Sequence, residues 1–187
     1  METKLEEFIR EHRHDDVRQL ALQAARYPDI DMQQALQQIA GWQTARTKLP
    51  EWAATDGIVY PPRLSMEQCS SEATAKYKAK VLAPSPSTVI DLTGGFGVDF
   101  SYMARGFQKA VYVERQPHLC EAARHNFQLL GLENTEVVCG DGVEYLKNLP
   151  SPFRPPSPRT LYLDPARRDE NGKRPMPSAT ARPTWWP

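Results

Sequence analysis

The sequence predicts an α/β protein with a parallel sheet, preceded by a small helical region. Short apolar runs recur between residues 88 and 164, amphipathic segments separate them, and glycine or proline stands at the junctions. Repeated strand–helix units form parallel sheets, because each crossover helix covers a face of the sheet. Right-handed crossovers then give the strand order 3-2-1-4.

The first part of the chain is predicted to be helical. Residues 4–48 carry apolar side chains at helical spacing, interrupted at Pro28 and restarted with Asp31 as a plausible N-cap. Residues 48–65 are predicted to be a connector, because proline and glycine punctuate them. The segment "SEATAKYKAKVL", capped by a serine, predicts one more helix before the sheet.

Four apolar runs predict the strands, at residues 88–92, 110–114, 135–140 and 160–164. The helices between them are predicted from "VDFSYMARG", "QPHLCEAARHNFQLLG" and "GVEYLKNL". Only four strands can be identified, so the predicted sheet is a partial one.

Composition limits the class of protein. The 187 residues favour one domain with a small appendage, and 23 basic residues balance 23 acidic ones, so net charge favours no nucleic-acid partner. No apolar run has the length of a membrane span, and the charged N-terminus does not resemble a signal peptide. The three cysteines are scattered, without metal-ligand spacing. We therefore expect a cytoplasmic protein without a metal site.

A glycine-rich turn, "TGGFG" at residues 93–97, follows the first strand. Glycines there permit positive φ angles and a close approach of the backbone to a ligand. A dinucleotide site would need a third glycine where Phe100 stands, and a P-loop would need a Gly-Lys-Ser/Thr ending. A tight turn without any ligand remains an alternative.

Each predicted strand ends at or beside an acid: Asp91, Glu114, Asp141 and Asp164. In a sheet of this order these ends lie along one edge, where ligands bind. Acids beside a glycine-rich turn favour a cationic ligand that carries a sugar. Glu114 could accept hydrogen bonds from ribose hydroxyls, and Asp141 from an exocyclic amine.

These segments together resemble the motifs of the class I S-adenosylmethionine-dependent methyltransferases. "DLTGGFG", "YVE", "CGDGVEYL" and "LDPAR" correspond in order and spacing, with Thr93 where many members carry a glycine. The resemblance implies a Rossmann-like fold and S-adenosyl-L-methionine as cofactor. It implies that the cofactor-binding residues are Asp91, Thr93, Gly95, Gly97, Glu114 and Asp141. It places Asp164 and Pro165 beside the transferred methyl group as the catalytic residues.

A narrower resemblance concerns the flanking segments. "LSMEQCSSEATAKYKA" and "DPARRDENGKR" are similar to a bacterial methyltransferase group with a THUMP-like domain, itself similar to guanine-N2 RNA methyltransferases. This implies an RNA substrate methylated on a base nitrogen. Ala166 and Arg167 depart from the usual pattern, since no aromatic ring is present there to stack on a base. A local basic stretch near Arg167 could contact phosphates or be a solvated loop.

Three regions are predicted: a helical part at 1–66, a cofactor-binding core at 67–170 and an irregular tail at 171–187. The tail has no strand or helix period, so we expect a C-terminally truncated or frameshifted product. The alternative functions are a catalytically inactive product or an RNA- or protein-binding adaptor that keeps the pocket. A nucleotide-dependent oxidoreductase is disfavoured by Phe100.

Overall fold

The computed structural model describes residues 3–82, 85–149 and 159–164. Pro165, the basic stretch that follows it and the predicted tail at 171–187 lie outside these residues.

Helices occupy the first part of the chain, as their apolar spacing predicts. They are α1 (Lys4–His12), α2 (Val17–Leu22), α3 (Met32–Lys48), α4 (Pro50–Ala54), α5 (Arg63–Gln68) and α6 (Glu72–Val81). Asp31 caps α3, since its Oδ1 accepts a hydrogen bond from the Gln34 amide at 3.0 Å. None of the helices in the described ranges is long and apolar enough to cross a membrane.

The segment predicted to be a connector contains two short helices, α4 and α5. Pro50 stands in the first turn of α4, where its fixed φ suits a helix and its missing N–H costs nothing. Proline therefore starts this helix, although the sequence pattern suggested a break.

The described strands form one parallel sheet. They are β1 (Ser85–Asp91), β2 (Phe107–Glu114), β3 (Thr135–Cys139) and β4 (Arg159–Tyr162), in the order β3-β2-β1-β4. The predicted strand order is confirmed. Asp91 pairs with Tyr112 on one side and Tyr162 on the other, and Glu114 pairs with Cys139. The acids at the ends of β1 and β2 therefore share one edge of the sheet.

Helices cover both faces of the sheet, as predicted. They are α7 (Val98–Ala104), α8 (Pro117–Leu129) and α9 (Gly142–Asn148). One face carries Val89, Ala110 and Tyr112, which pack in the main core with side chains of α7 and α8. The opposite face carries Ile90, Val111 and Val113, which pack with Tyr145 and Leu149 from the region of α9. The alternation follows the two-residue period of strand side chains.

Part of the helical region shares the core of the sheet. Trp52 is fully buried, and its ring centre lies 4.8 Å from that of Phe96 in the turn after β1. Asn126 on α8 is also fully buried, and its side chain accepts from the Val59 amide at 2.8 Å and donates to the Val59 carbonyl at 2.9 Å. The segment between α4 and α5 is thus fixed against α8.

Candidate active site

The glycines of the turn after β1 meet different requirements. A Cβ on Gly94 would lie 2.2 Å from the Tyr112 ring, and one on Gly97 would lie 2.7 Å from the Phe127 ring. Gly97 also has φ +86°, a left-handed conformation that starts α7. Gly95 has φ +54°, but a Cβ there would meet only the Thr93 carbonyl oxygen, at 3.8 Å. Packing inside the protein explains Gly94 and Gly97, whereas Gly95 lies on the open side of the turn.

Glu114 ties this turn to β2. Its Oε2 accepts a hydrogen bond from the Gly95 amide at 2.9 Å, and its Oε1 accepts from the Gln116 amide at 2.9 Å. The residue is only 8% exposed. The Tyr112 hydroxyl adds a hydrogen bond to the Gly95 carbonyl oxygen. The carboxylate is therefore held rigidly at the end of β2, where the sequence predicted it.

Thr93 joins the ends of β1 and β4. Its amide donates to Asp91 Oδ1 at 2.9 Å, and its hydroxyl lies 3.3 Å from the same oxygen. The Thr93 hydroxyl oxygen also accepts from the Asp164 amide at 2.8 Å. The resemblance to the class I methyltransferases implies a glycine at this position in many members. A glycine could not make the two hydroxyl contacts. Threonine therefore connects Asp91 with Asp164.

Asp91 is buried, with 2% of its surface exposed. Burial raises the pKa of Asp91 to about 7, because desolvation disfavours the carboxylate. The hydrogen bonds from Thr93 lower the pKa, whereas the nearby charges of Asp99 and Asp164 raise it. A bound cation near the end of β1 would therefore favour the ionised form of Asp91.

Asp141 begins α9. Its Oδ1 accepts from the amides of Val143 at 2.9 Å and Glu144 at 3.1 Å, which is a helix N-cap. Its Oδ2 has no hydrogen-bond partner among the described residues. A Cβ on the adjacent Gly142 would lie 2.3 Å from the Leu92 carbonyl oxygen. The start of α9 thus lies against the segment that follows β1.

The structure adds residues that sequence reasoning missed. The Lys78 ammonium lies 2.7 Å from Oδ2 of Asp99 and 2.7 Å from Oδ2 of Asp164. The hydroxyl of Ser70 donates to the same Asp99 oxygen at 3.0 Å, and that of Tyr162 at 3.2 Å. In the sequence Lys78 cannot be distinguished from Lys76 and Lys80 on α6, because only the packing of α6 on α7 brings it to the strand ends.

Most of the predicted site residues therefore meet at one edge of the sheet. Asp91, Thr93 and Asp164 are linked directly, and Gly95 is linked to Glu114. Asp141 lies at the start of α9, which packs beside Leu92. Pro165, the other predicted catalytic residue, lies outside the described part of the chain. Together the turn, the strand-end acids and the strand order are typical of a Rossmann-like methyltransferase.

Comparisons with known proteins agree with this class. Residues 63–153, slightly less than half of the chain, match the family model of protein-L-isoaspartate(D-aspartate) O-methyltransferase. A search of curated proteins finds no match. A solved structure from Porphyromonas gingivalis W83, assigned as a methyltransferase, is 32% identical over 76% of this chain, with a TM-score of 0.63. The chain covers 36% of that protein, or about a third of its length.

Two further solved structures are similar at a lower level. An rRNA methylase from Streptococcus thermophilus is 26% identical over 44% of this chain and 49% of its own, with a TM-score of 0.37. A protein of Klebsiella pneumoniae assigned as an O-methyltransferase is 18% identical over 51% and 44%, with a TM-score of 0.43. The fold is that of the class I methyltransferases, as predicted, and the chain is related to this family in sequence and structure.

Proposed function

We propose that this chain binds S-adenosyl-L-methionine along the carboxyl edge of its sheet and takes part in transferring the methyl group to a nitrogen acceptor. The observation that carries the proposal is the network at this edge. The Gly95 amide donates to Glu114, and Thr93 joins Asp91 to Asp164. These contacts bring three carboxylates to the turn that follows β1.

The residues present fit a cationic donor that carries a ribose and an adenine. Glu114 is fixed by two backbone amides and retains lone pairs for ribose hydroxyls. The Oδ2 of Asp141, which no described residue contacts by a hydrogen bond, suits the adenine amine. The negative charge around Asp91 suits the positive methionine part, because a nearby cation stabilises the ionised carboxylate. Cofactor binding by Thr93, Gly95 and Gly97 belongs to the same proposal.

A dinucleotide fits less well. Phe100 stands where the third glycine of a dinucleotide fingerprint would be, and it is fully buried. Its ring centre lies 5.0 Å from that of Phe127 and 5.5 Å from that of Tyr112. This position therefore serves the core, which disfavours an oxidoreductase.

In the proposed mechanism the bound donor would supply a methyl group from its sulfonium. The C–S bond would break as the new N–C bond forms, and neutral S-adenosylhomocysteine would leave, while the protein positions the acceptor. Asp164 accepts a hydrogen bond from the N–H of an amine or amide acceptor. This contact directs the nitrogen lone pair at the methyl carbon and stabilises the positive charge that develops on nitrogen. The acceptor proton leaves to Asp164 or to water after the new bond forms. The Pro165 carbonyl is proposed as a second acceptor of the same kind.

We propose an RNA base as the acceptor. The support is the resemblance to the bacterial group with a THUMP-like domain and the basic residues that follow Asp164 in the sequence. The match to the isoaspartate O-methyltransferase family favours a second candidate, a protein carboxylate. Asp164, as a hydrogen-bond acceptor, suits a methyl acceptor that donates an N–H, which an ionised protein carboxylate cannot do.

Calorimetric titration with S-adenosylhomocysteine tests the cofactor assignment, with NAD as control ligand and Asp141→Ala as the variant. We expect saturable binding of S-adenosylhomocysteine alone, weakened in the variant. A folded chain that binds neither ligand, or binds NAD, would contradict the proposal.

Incubation with radiolabelled donor then distinguishes the acceptors. Bulk RNA and a bulk protein extract are offered separately, and nuclease or protease digestion identifies the labelled product. Label in RNA supports the first candidate, and label in protein supports the second. Donor binding without label in either pool would favour the adaptor alternative.

The three cysteines are unpaired, which supports a cytoplasmic location within the same proposal.

A further inference from the structure

Lys78 lies between two carboxylates at the end of the sheet. Its ammonium is 2.7 Å from Asp99 Oδ2, 2.7 Å from Asp164 Oδ2 and 3.1 Å from the Ser70 hydroxyl. An ammonium group has three donors, and these contacts occupy all of them. Its side chain is 25% exposed, so both ion pairs are partly shielded from water.

The neighbouring lysines of α6 differ in surroundings. Lys76 pairs with Glu72 at 2.6 Å, four residues away on the same helix. Lys80 is exposed, and no hydrogen bond or ion pair to a described residue is seen for it. Burial alone would lower the pKa of Lys78, yet its hydrogen bonds with Asp164 and Asp99 raise the pKa above the ordinary lysine value. Lys78 therefore stays charged in this place.

Asp164 is held through its amide and through one carboxylate oxygen. The amide donates to the Thr93 hydroxyl oxygen at 2.8 Å, and Oδ2 accepts from the Lys78 ammonium at 2.7 Å and from the Tyr162 hydroxyl at 3.4 Å. Its side chain is 47% exposed, and Oδ1 has no hydrogen-bond partner among the described residues. The contacts therefore direct one oxygen into the protein, while the other meets no described residue.

We propose that Lys78 is a positioning residue, which holds Asp164 so that its Oδ1 faces the methyl acceptor. This inference rests on the proposed function, in which Asp164 binds the acceptor. Asp99 anchors Lys78 from the other side, because Ser70 and Tyr162 donate to the same Asp99 oxygen. The helix α6 thereby contributes to an acceptor site that the sheet alone would leave incomplete.

The first experiment measures the orientation of Asp164 without any substrate. In protein labelled at aspartate, three-bond NMR couplings report the χ1 rotamer of Asp164. We expect one rotamer in the wild type and in Lys80→Met, and averaged couplings in Lys78→Met. Unchanged couplings in folded Lys78→Met would overturn the proposal, whatever the acceptor proves to be.

Lys78→Met leaves the partly buried Asp99 without its cation, so the variant could unfold. The double variant Asp99→Asn, Lys78→Met removes both charges and keeps the test open. Circular dichroism verifies the fold of each variant. We expect averaged Asp164 couplings in the double variant also, and a single rotamer there would overturn the proposal.

The second experiment measures turnover on the acceptor pool that the wild type labels. We expect Lys78→Met to lower kcat about 10- to 100-fold, because misplacement of a positioning group costs that much. The dissociation constant for the donor should stay within about threefold, since Lys78 lies on the acceptor side. Lys78→Arg should restore part of the rate, and Lys80→Met should leave it unchanged.

The outcomes separate the two proposals. Wild-type kcat in folded Lys78→Met would overturn the role of Lys78 and leave the proposed function intact. Equal losses of donor affinity and rate would also overturn it, because they indicate a structural role. If the wild type labels neither pool, the proposed function fails, and the couplings alone decide whether Lys78 holds Asp164.

Discussion

Glu114 illustrates how one carboxylate can serve both the protein and a ligand. Each of its oxygens accepts one backbone amide, from Gly95 or Gln116, at 2.9 Å. A carboxylate has about four acceptor positions, so these contacts leave capacity for ribose hydroxyls. The amides fix the carboxylate before any ligand arrives, which reduces the entropic cost of binding.

Glu114→Gln should weaken S-adenosylhomocysteine binding about 10- to 100-fold. A hydrogen bond to a charged group contributes about 1.5–3 kcal/mol, and the glutamine amide would also face the Gly95 N–H with a donor. Calorimetry measures the change. Glu121→Gln is the matched control, because Glu121 is exposed on α8. Equal affinities for wild type and Glu114→Gln would show that this carboxylate does not bind the ligand.

Asp91 should make stability depend on pH. Its folded pKa of about 7 lies above the unfolded value, so the folded state binds more protons between these two values. The contribution of Asp91 to stability therefore falls as the pH rises from about 4 to about 7 and is then constant. Between pH 5 and pH 8 we expect a loss of about 2–3 kcal/mol from this group.

Urea unfolding of wild type and Asp91→Asn at pH 5 and pH 8 measures this contribution. Asparagine keeps an oxygen for the Thr93 amide and cannot ionise, so the variant should lose less stability over the interval. The variant should gain relative to wild type at pH 8 and not at pH 5. A stability difference that is the same at both pH values would contradict the pKa of Asp91.

At the scale of elements, the junction of α9 with β1 determines how the edge of the sheet is closed. The sequence predicted α9 from "GVEYLKNL", but not that Asp141 caps it or that Gly142 lies against the Leu92 carbonyl. The 2.3 Å clearance for a Cβ at Gly142 leaves no room for a side chain. Gly142 does not have a positive φ, so it is this close contact that requires glycine here.

Gly142→Ala should therefore destabilise the protein, by about 1–3 kcal/mol for overpacking. The expected fall in Tm is roughly 3–10 °C for a chain of this length. Gly140→Ala is the matched control, since a Cβ there meets nothing within 4 Å. We expect it to change stability by less than about 0.5 kcal/mol. Thermal unfolding followed by circular dichroism compares the two, and equal Tm values would show that α9 can shift without cost.

At the scale of the whole molecule, the helical region and the sheet share a core. Leu49, Trp52 and Tyr60 lie in the same buried cluster as Val89 and other side chains of the sheet and its helices. Phe8 and Ile39, by contrast, belong to a separate cluster among α1, α2 and α3. The proposed division after residue 66 follows sequence composition, and the shared core crosses that position.

Asn126→Ala should lower the free energy of unfolding by about 2–4 kcal/mol, because it removes a fully buried side chain and both of its hydrogen bonds with the Val59 backbone. Chemical denaturation followed by both circular dichroism and tryptophan fluorescence measures the change. If the shared core couples the two parts, both signals move together in one transition. Asn148→Ala, at an exposed position on α9, is the control. Two separate transitions in the wild type would contradict the coupling.

The sequence alone determined the sheet order, the elements around it and the acids at the strand ends. These features depend on local periodicity, turn chemistry and the handedness of crossovers, all of which are encoded in short segments. Strand starts were less accurate: β2 begins at Phe107 rather than residue 110. The residues just before the apolar run of β2 include polar ones, such as Lys109, that still pair with β1. An apolar run does not predict such pairing of the polar residues beside it.

Only the tertiary structure decided which of these residues contact each other. Thr93 read as a substituted glycine, yet its hydroxyl links Asp91 and Asp164 across two strands. In the sequence Lys78 is one of several similar lysines on a helix. In the structure it is the lysine of α6 that bridges Asp99 and Asp164. Periodicity predicts the face on which a side chain lies, whereas hydrogen-bond partners distant in sequence depend on how complete elements pack.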